Sequence, residues 1–191
     1  MEEHLWNAVR DGRMDEIKEI FKSSPTINVN WKNDKVHGYT ALHAACNGDG
    51  SLIALLLAHP GIDVNQKSSG GETPFLYACE YGTAACVLLL LEDSRVLVNE
   101  PEKNGFTPLY WAAHWGRLDT IRWWIASGRE MDLGQTGKGK TDAIEAATKE
   151  QKTEVVSLLV RFKENEVHTR ELVRKELHLT GECLIIFHYP R

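Results

Sequence analysis

One phrase recurs four times along this chain of 191 residues. GYTALHAACNG, GETPFLYACEYG, GFTPLYWAAHWG and GKTDAIEAATKE begin at Gly38, Gly71, Gly105 and Gly139, with starts 33, 34 and 34 residues apart. Thr40, Thr73, Thr107 and Thr141 keep that spacing. A period this short holds one supersecondary unit, too small to bury its own apolar face. The units must therefore stack, and the core they bury runs the length of the stack.

Within a period the pattern is helix, turn, helix. In the third full unit Thr107-Pro108 opens a helix: Thr suits the N-cap, and Pro suits the first helical position because it has no N–H to leave unpaired. Gly116 breaks that helix, LDTIRWWIAS follows at helical spacing, and Gly128 stops it. IDVNQKSSGG and VLVNEPEKNG, after the earlier second helices, are turn-rich and read as hairpin loops. Small residues recur at Ala45, Ala78, Ala112 and, with one inserted residue, Ala147, where neighbouring first helices must approach closely.

TALHAA, TPFLYA and TPLYWAA resemble the TPLHxAA motif of ankyrin repeats, and Asp63-Val64-Asn65 resembles the DVN of that family. The resemblance covers roughly residues 2–160 and implies an all-α solenoid of stacked helix-turn-helix units joined by hairpin loops. Residues 1–163 form the repeat domain: an N-terminal capping unit (1–36), full units at 37–70, 71–104 and 105–138, and a C-terminal capping unit (139–163). The histidine of the motif stands only at His43, with Leu76, Tyr110 and Glu145 in its place elsewhere. In the family it ties adjacent loops by hydrogen bonds, so a weaker polar network is expected between units two and four. The second unit lacks a glycine before Arg95-Val96-Leu97, and an atypical helix-to-loop turn is expected there.

Residues 164–191 form a tail, read as a short helix followed by a strand. Asn165 or Thr169 is the cap, Val167, Leu172, Val173 and Leu177 the apolar side, and ECLIIFHY the strand. Such a tail either packs on the last repeat or docks to a second molecule by strand addition; a monomer is expected, a dimer through the tail being the alternative.

Composition narrows the function classes. Hydrophobic residues at 42% and charged residues at 26% suit a folded globular chain. A net charge of −5 gives no general pull toward nucleic acid. Cys46, Cys79, Cys86 and Cys183 form no CxxC pair, and the eight histidines show no metal-ligand spacing, so neither a metal nor a catalytic residue is assigned. No phosphate-binding glycine motif occurs; GQTGKGK (134–140) reads as a loosened loop, and no cofactor is expected. The N-terminus, MEEHLWNAVRDGR, lacks the order of a signal peptide, and the longest apolar run, Val87 to Leu91, falls far short of the roughly 18 residues that span a bilayer. A cytoplasmic protein is expected, with the nucleus also open, that is neither enzyme nor membrane protein.

What remains is binding. By the family pattern a concave groove runs through Tyr39, Asn47, Glu72, Glu80, Tyr81, Lys103, Phe106, His114, Trp115 and Lys140. Aromatic residues favour interface hot spots because they bury large areas with few rotatable bonds. Trp111 takes a position read as a usual leucine, and Trp123 and Trp124 replace the paired leucines of a second helix; all three are assigned to the core. The expected partner is another protein held in this groove; the alternative is an enzyme whose active site the same groove blocks. Asn65 and Asn99, each eight residues after a leucine and directly after a valine, also resemble sites of asparagine β-hydroxylation, although a structural role in the turn is the preferred reason for their presence.

Overall fold

The computed structural model describes residues 1–48, 50–134 and 142–179. Five helix pairs follow one another: α1 (Glu2–Arg10) with α2 (Met14–Ser23), α3 (Ala41–Ala45) with α4 (Gly50–Leu57), α5 (Pro74–Tyr81) with α6 (Ala84–Glu92), α7 (Pro108–His114) with α8 (Leu118–Ser127), and α9 (Ala143–Lys149) with α10 (Thr153–Glu164). A last helix, α11 (Glu166–Glu176), lies in the tail. First helices stack on first helices, α1 on α3 through to α7 on α9, while α4, α6, α8 and α10 form a second layer. This is the all-α solenoid the repeats imply. The proposed strand at 182–189, Lys140 and most of the GQTGKGK loop lie outside the described residues.

The repeated cap sets each unit's start. Thr73 and Thr107 accept from the N–H groups of Leu76 and Tyr110. In the fifth unit the inserted residue, Asp142, takes this role and accepts from Glu145 N–H at 2.7 Å. The four alanines then sit at the contact between first helices, each at most 1% exposed. Leu42, Phe75, Leu109, Ile121 and Trp124 fill the space between the layers. Gly82 has a steric reason to be glycine: a Cβ there would stand 2.6 Å from the Ala78 carbonyl oxygen.

The loops close by turns, and among the described residues the only bridge is Asn33–Tyr39. Ser68 N–H to Glu72 O and Glu102 N–H to Phe106 O close the next two loops. Adjacent tips are joined by backbone bonds: Ser69 N–H to His37 O at 2.9 Å and Lys103 N–H to Gly70 O at 3.1 Å. His43 adds a side-chain tie. Its Nδ1 accepts from Thr40 N–H (3.2 Å), so Nε2 carries the proton and donates to Glu72 O (3.0 Å). Where Leu76 replaces this histidine, the tip-to-tip backbone bond between Lys103 and Gly70 persists. At that loop tip the main chain alone makes the tie.

The expected atypical turn in the second unit does not occur. Ile27, Ile62 and Val96 donate to the carbonyls of Ser24, His59 and Asp93, so three units share one turn. Asp93 has φ −86°, outside the left-handed region, and no glycine is needed. Its carboxylate accepts from Arg95 N–H, as His59 Nδ1 accepts from Gly61 N–H. The exception is the third unit, where Gly128 takes φ 77°.

A ladder of asparagines crosses from loop to loop. Asn30 donates to Gly61 O and accepts from Asp63 N–H. Asn65 donates to Arg95 O and accepts from Leu97 N–H. Asn99 accepts from Asp132 N–H. Arginines reach the other way: Arg117 donates to Glu80 O, and Arg129 to the carbonyls of Leu91, Asp93 and Val96. Asn65→Ala removes both rungs at one joint and should cost about 1–2 kcal/mol in urea unfolding. A cost below about 0.3 kcal/mol would show that water replaces them fully.

The tail helix is capped by Asn165, which accepts from His168 N–H. It packs on α10 and α8, where Arg170 and Arg174 donate to the carbonyls of Ile125 and Ala126 at the end of α8. Its buried residues are Thr169 and Val173, with Leu172 and Leu177 half-buried. Val167, assigned to the apolar side, is instead 65% exposed, because it falls on the turn facing away from α8 and α10. Among the described residues no helix is long and apolar enough to cross a membrane.

Candidate functional site

The first helices and the loop tips together make one face. Short helices repeated in register put equivalent positions side by side on it. In α5 and α7 the fourth residue after the capping threonine points here, and it is Tyr77 in one and Trp111 in the other. Trp111 is therefore half-buried and lines a groove, in contrast to its assignment to the core. It occupies the open "x" of TPLHxAA, not an inward-facing position. Trp123 is also only half-buried, whereas Trp124 is wholly enclosed.

Two runs of rings result. Tyr39 stacks on His43 (5.2 Å) and meets Tyr77 edge-on (4.8 Å); Tyr77 in turn meets Tyr81 (5.0 Å). In the next unit Phe106 stacks on Tyr110 (4.3 Å), Tyr110 on His114 (6.0 Å), and His114 meets Trp115 edge-on (5.0 Å). Asn47 donates to the Tyr77 hydroxyl at 2.7 Å, fixing the first run from the preceding unit. Between the runs lies a groove of about 620 Å³ lined by Glu72, Glu80, Tyr81, Glu102, Lys103 and Trp111, among others.

Glu80 joins the two runs. Its carboxylate accepts from the Trp115 indole (3.4 Å) and from the Tyr81 hydroxyl. Glu80 is only 5% exposed, whereas Tyr81 is 48% and Trp115 46% exposed. Burial holds the Glu80 carboxyl above its ordinary range, partly offset by those two donors. The hydrogen bond to Glu80 pushes the Tyr81 phenol well up. Burial and the neighbouring Glu72 do the same to Tyr39. Glu72 also accepts from the Ser68 hydroxyl at 2.8 Å. The Trp111 indole nitrogen, shielded from solvent, has no acceptor among the described residues.

Of the residues singled out from sequence, Glu72, Glu80, Tyr81 and Lys103 line the groove together, and Trp115 reaches it through Glu80. Phe106 and His114 lie along the second run of rings, Tyr39 and Asn47 along the first. Tyr77, Tyr110 and Trp111 were absent from that selection. The signal that could have found them is the variable place in the repeated motif, read as outward rather than inward. Cys46, Cys79 and Cys86 are buried free thiols, and burial pushes the Cys46 and Cys79 thiols well up. Asn65 and Asn99 belong to the ladder, away from this groove.

Residues 47–135 match a family model described as ankyrin repeats in three copies. SMC5-SMC6 complex localization factor protein 1 of Bos taurus is 41% identical over 73 residues, 38% of this chain and 7% of that protein. Its Homo sapiens counterpart is 46% identical over 55 residues, 28% of this chain and 5% of that protein. An ankyrin repeat-containing protein of Schizosaccharomyces pombe is 34% identical over 77 residues, 40% of this chain and 35% of that protein. The chain thus spans well under a tenth of the bovine and human relatives and about a third of the yeast one.

Proposed function

We propose that this chain, whose residues 47–135 are ankyrin repeats, is a protein-interaction module that holds its partner in the groove between Tyr81 and Trp115. The observation that carries this reading is the pair of large aromatic side chains left about half exposed, Tyr81 and Trp115, on either side of a buried carboxylate. Among the described residues no other Phe, Tyr or Trp is as exposed, and Trp124 and Phe75 are wholly covered. Uncovered aromatic area beside a fixed polar group is the composition that interface hot spots favour. Stacking on Tyr110 and edge-on contact with His114 limit the freedom of Phe106 and Trp115 before any partner arrives, which lowers the ordering cost of binding. The three buried free thiols suit a reducing compartment inside the cell.

Affinity capture with the wild type and with a Phe106→Ala/Trp115→Ala double variant tests the reading, followed by calorimetry with the captured protein. Each substitution should weaken binding by more than about 1 kcal/mol while helical content and cooperative unfolding are kept. Equal binding by both proteins would place the interface elsewhere. Asn65 and Asn99 are further proposed positions of β-hydroxylation, which the intact mass of protein from its native source would register as added oxygen.

A further inference from the structure

The groove carries more acidic than basic side chains. Glu72, Glu80 and Glu102 line it, against Lys103 and His37. Glu80 is nearly closed off from water, yet every hydrogen bond to its carboxylate comes from a neutral donor, the Tyr81 hydroxyl and the Trp115 indole. No ion pair forms with Glu72, Glu80 or Glu102 among the described residues, although the chain forms such pairs freely elsewhere, as between Lys67 and Glu100 or Arg122 and Glu176. Lys103 does not fill the role; its stem packs over Gly71 and its backbone N–H bonds to Gly70. A carboxylate taken out of water without a cation loses hydration that neutral donors only partly restore. Tyr81 and Trp111 line the groove beside it, and aromatic rings attract a cation.

We propose that this groove seats a lysine or arginine side chain projecting from an extended segment of the partner protein. The proposal rests on the groove being the partner-binding site and adds what it selects. The ammonium or guanidinium group lies against Glu80 and Glu72 as the missing counter-ion. Its methylene stem lies along Tyr81 and Trp111, so that a long basic side chain fits better than a short one. Phosphate-bearing ligands are disfavoured by the same three carboxylates, which separates this site from a nucleic-acid surface.

The test uses the whole chain and three synthetic tripeptides, acetyl-Gly-Lys-Gly-amide, its Nε-acetylated form and acetyl-Gly-Glu-Gly-amide. The indole N–H signals of Trp111 and Trp115 are followed by NMR during titration. The lysine peptide should give a saturable shift of both, and the acetylated and glutamate peptides should bind at least about tenfold more weakly. Glu80→Gln keeps the acceptor for Trp115 but removes the charge; Glu72→Gln removes charge without touching Trp115. Each should lower affinity for the lysine peptide at least about tenfold, with thermal unfolding showing that the fold is kept. Equal binding of the acetylated peptide, no shift with any peptide, or wild-type affinity in both variants would overturn the proposal. Calorimetry with the captured partner separates the two readings. Binding lost in Phe106→Ala/Trp115→Ala but unchanged in both glutamine variants would retain the groove and reject the cation.

Discussion

Trp124→Ala should cost about 4 kcal/mol of folding stability, the largest loss expected from a single truncation in this chain. The side chain is fully buried between the layers and meets Phe75 of the preceding unit edge-on at 5.0 Å. Its indole nitrogen donates to Glu130 O at 3.2 Å, fixing the start of the next loop. Truncation opens a cavity between two units rather than within one, and two faces cannot both close over it. Because stability in a stack is shared through such interfaces, the melting temperature of the whole array should drop, by roughly 10 °C for a chain of this size. Trp123→Ala, one residue away and half-buried, should cost less than half as much. Chemical unfolding of both variants checks the pair. Comparable losses would mean that the second-helix layer is not the joint between units described above.

Acid should weaken the fold through His43 before most carboxylates are protonated. The ring is wholly buried, and burial lowers its pKa from the ordinary 6.5 to about 4. Its bond to Glu72 O opposes that shift without cancelling it. Above pH 6.5 neither the folded nor the unfolded chain holds this proton, and His43 adds no pH dependence. Between 6.5 and about 4 the unfolded chain takes up the proton and the folded chain does not, so stability falls as pH falls. The loss accumulated by pH 4 is on the order of 3 kcal/mol. Glu80 and Glu92, both raised by burial, contribute in the opposite sense, and the comparison must remove them. His43→Leu does so, taking the residue that the next repeat carries at Leu76. The difference in unfolding free energy between wild type and variant should widen steadily from pH 4 to 6.5 and be flat above it. Parallel curves would show that folding does not change the proton affinity of His43.

The solenoid was legible because its determinants are local and repeated. Thr73 and Thr107 begin their helices by the same hydrogen bond, Thr40 stands at the same place bonded to the His43 ring, and alanines five residues on leave the space that stacking needs. The cap at Asp142 was legible only as an insertion, since a carboxylate caps as well as a hydroxyl. The turn at Asp93 is not legible from its missing glycine, because an Asx-type bond to Arg95 N–H serves there without left-handed backbone. The groove was half legible. Tyr81 and Trp115 follow the motif and could be placed outward. Trp111 looks like core by composition, because a tryptophan's hydrophobicity does not say which side of a helix it occupies; its half-exposure depends on the packing of α9 against α7. That Glu80 would be nearly enclosed could not be read either, since the ring that covers it comes from Trp115, 35 residues later.

The asparagine ladder has a direction. Asn30, Asn65 and Asn99 each hold the loop of the unit that follows, never of the one before. A chain made from its N-terminus therefore presents each amide before the loop it will grip has left the ribosome. Every new loop meets a waiting donor and acceptor at a fixed height. Arg117 and Arg129 are made only later, and they reach back to close the helix ends already formed. The asparagine rungs thus run with the direction of synthesis, while at the joint between the second and third full units the two arginines run against it.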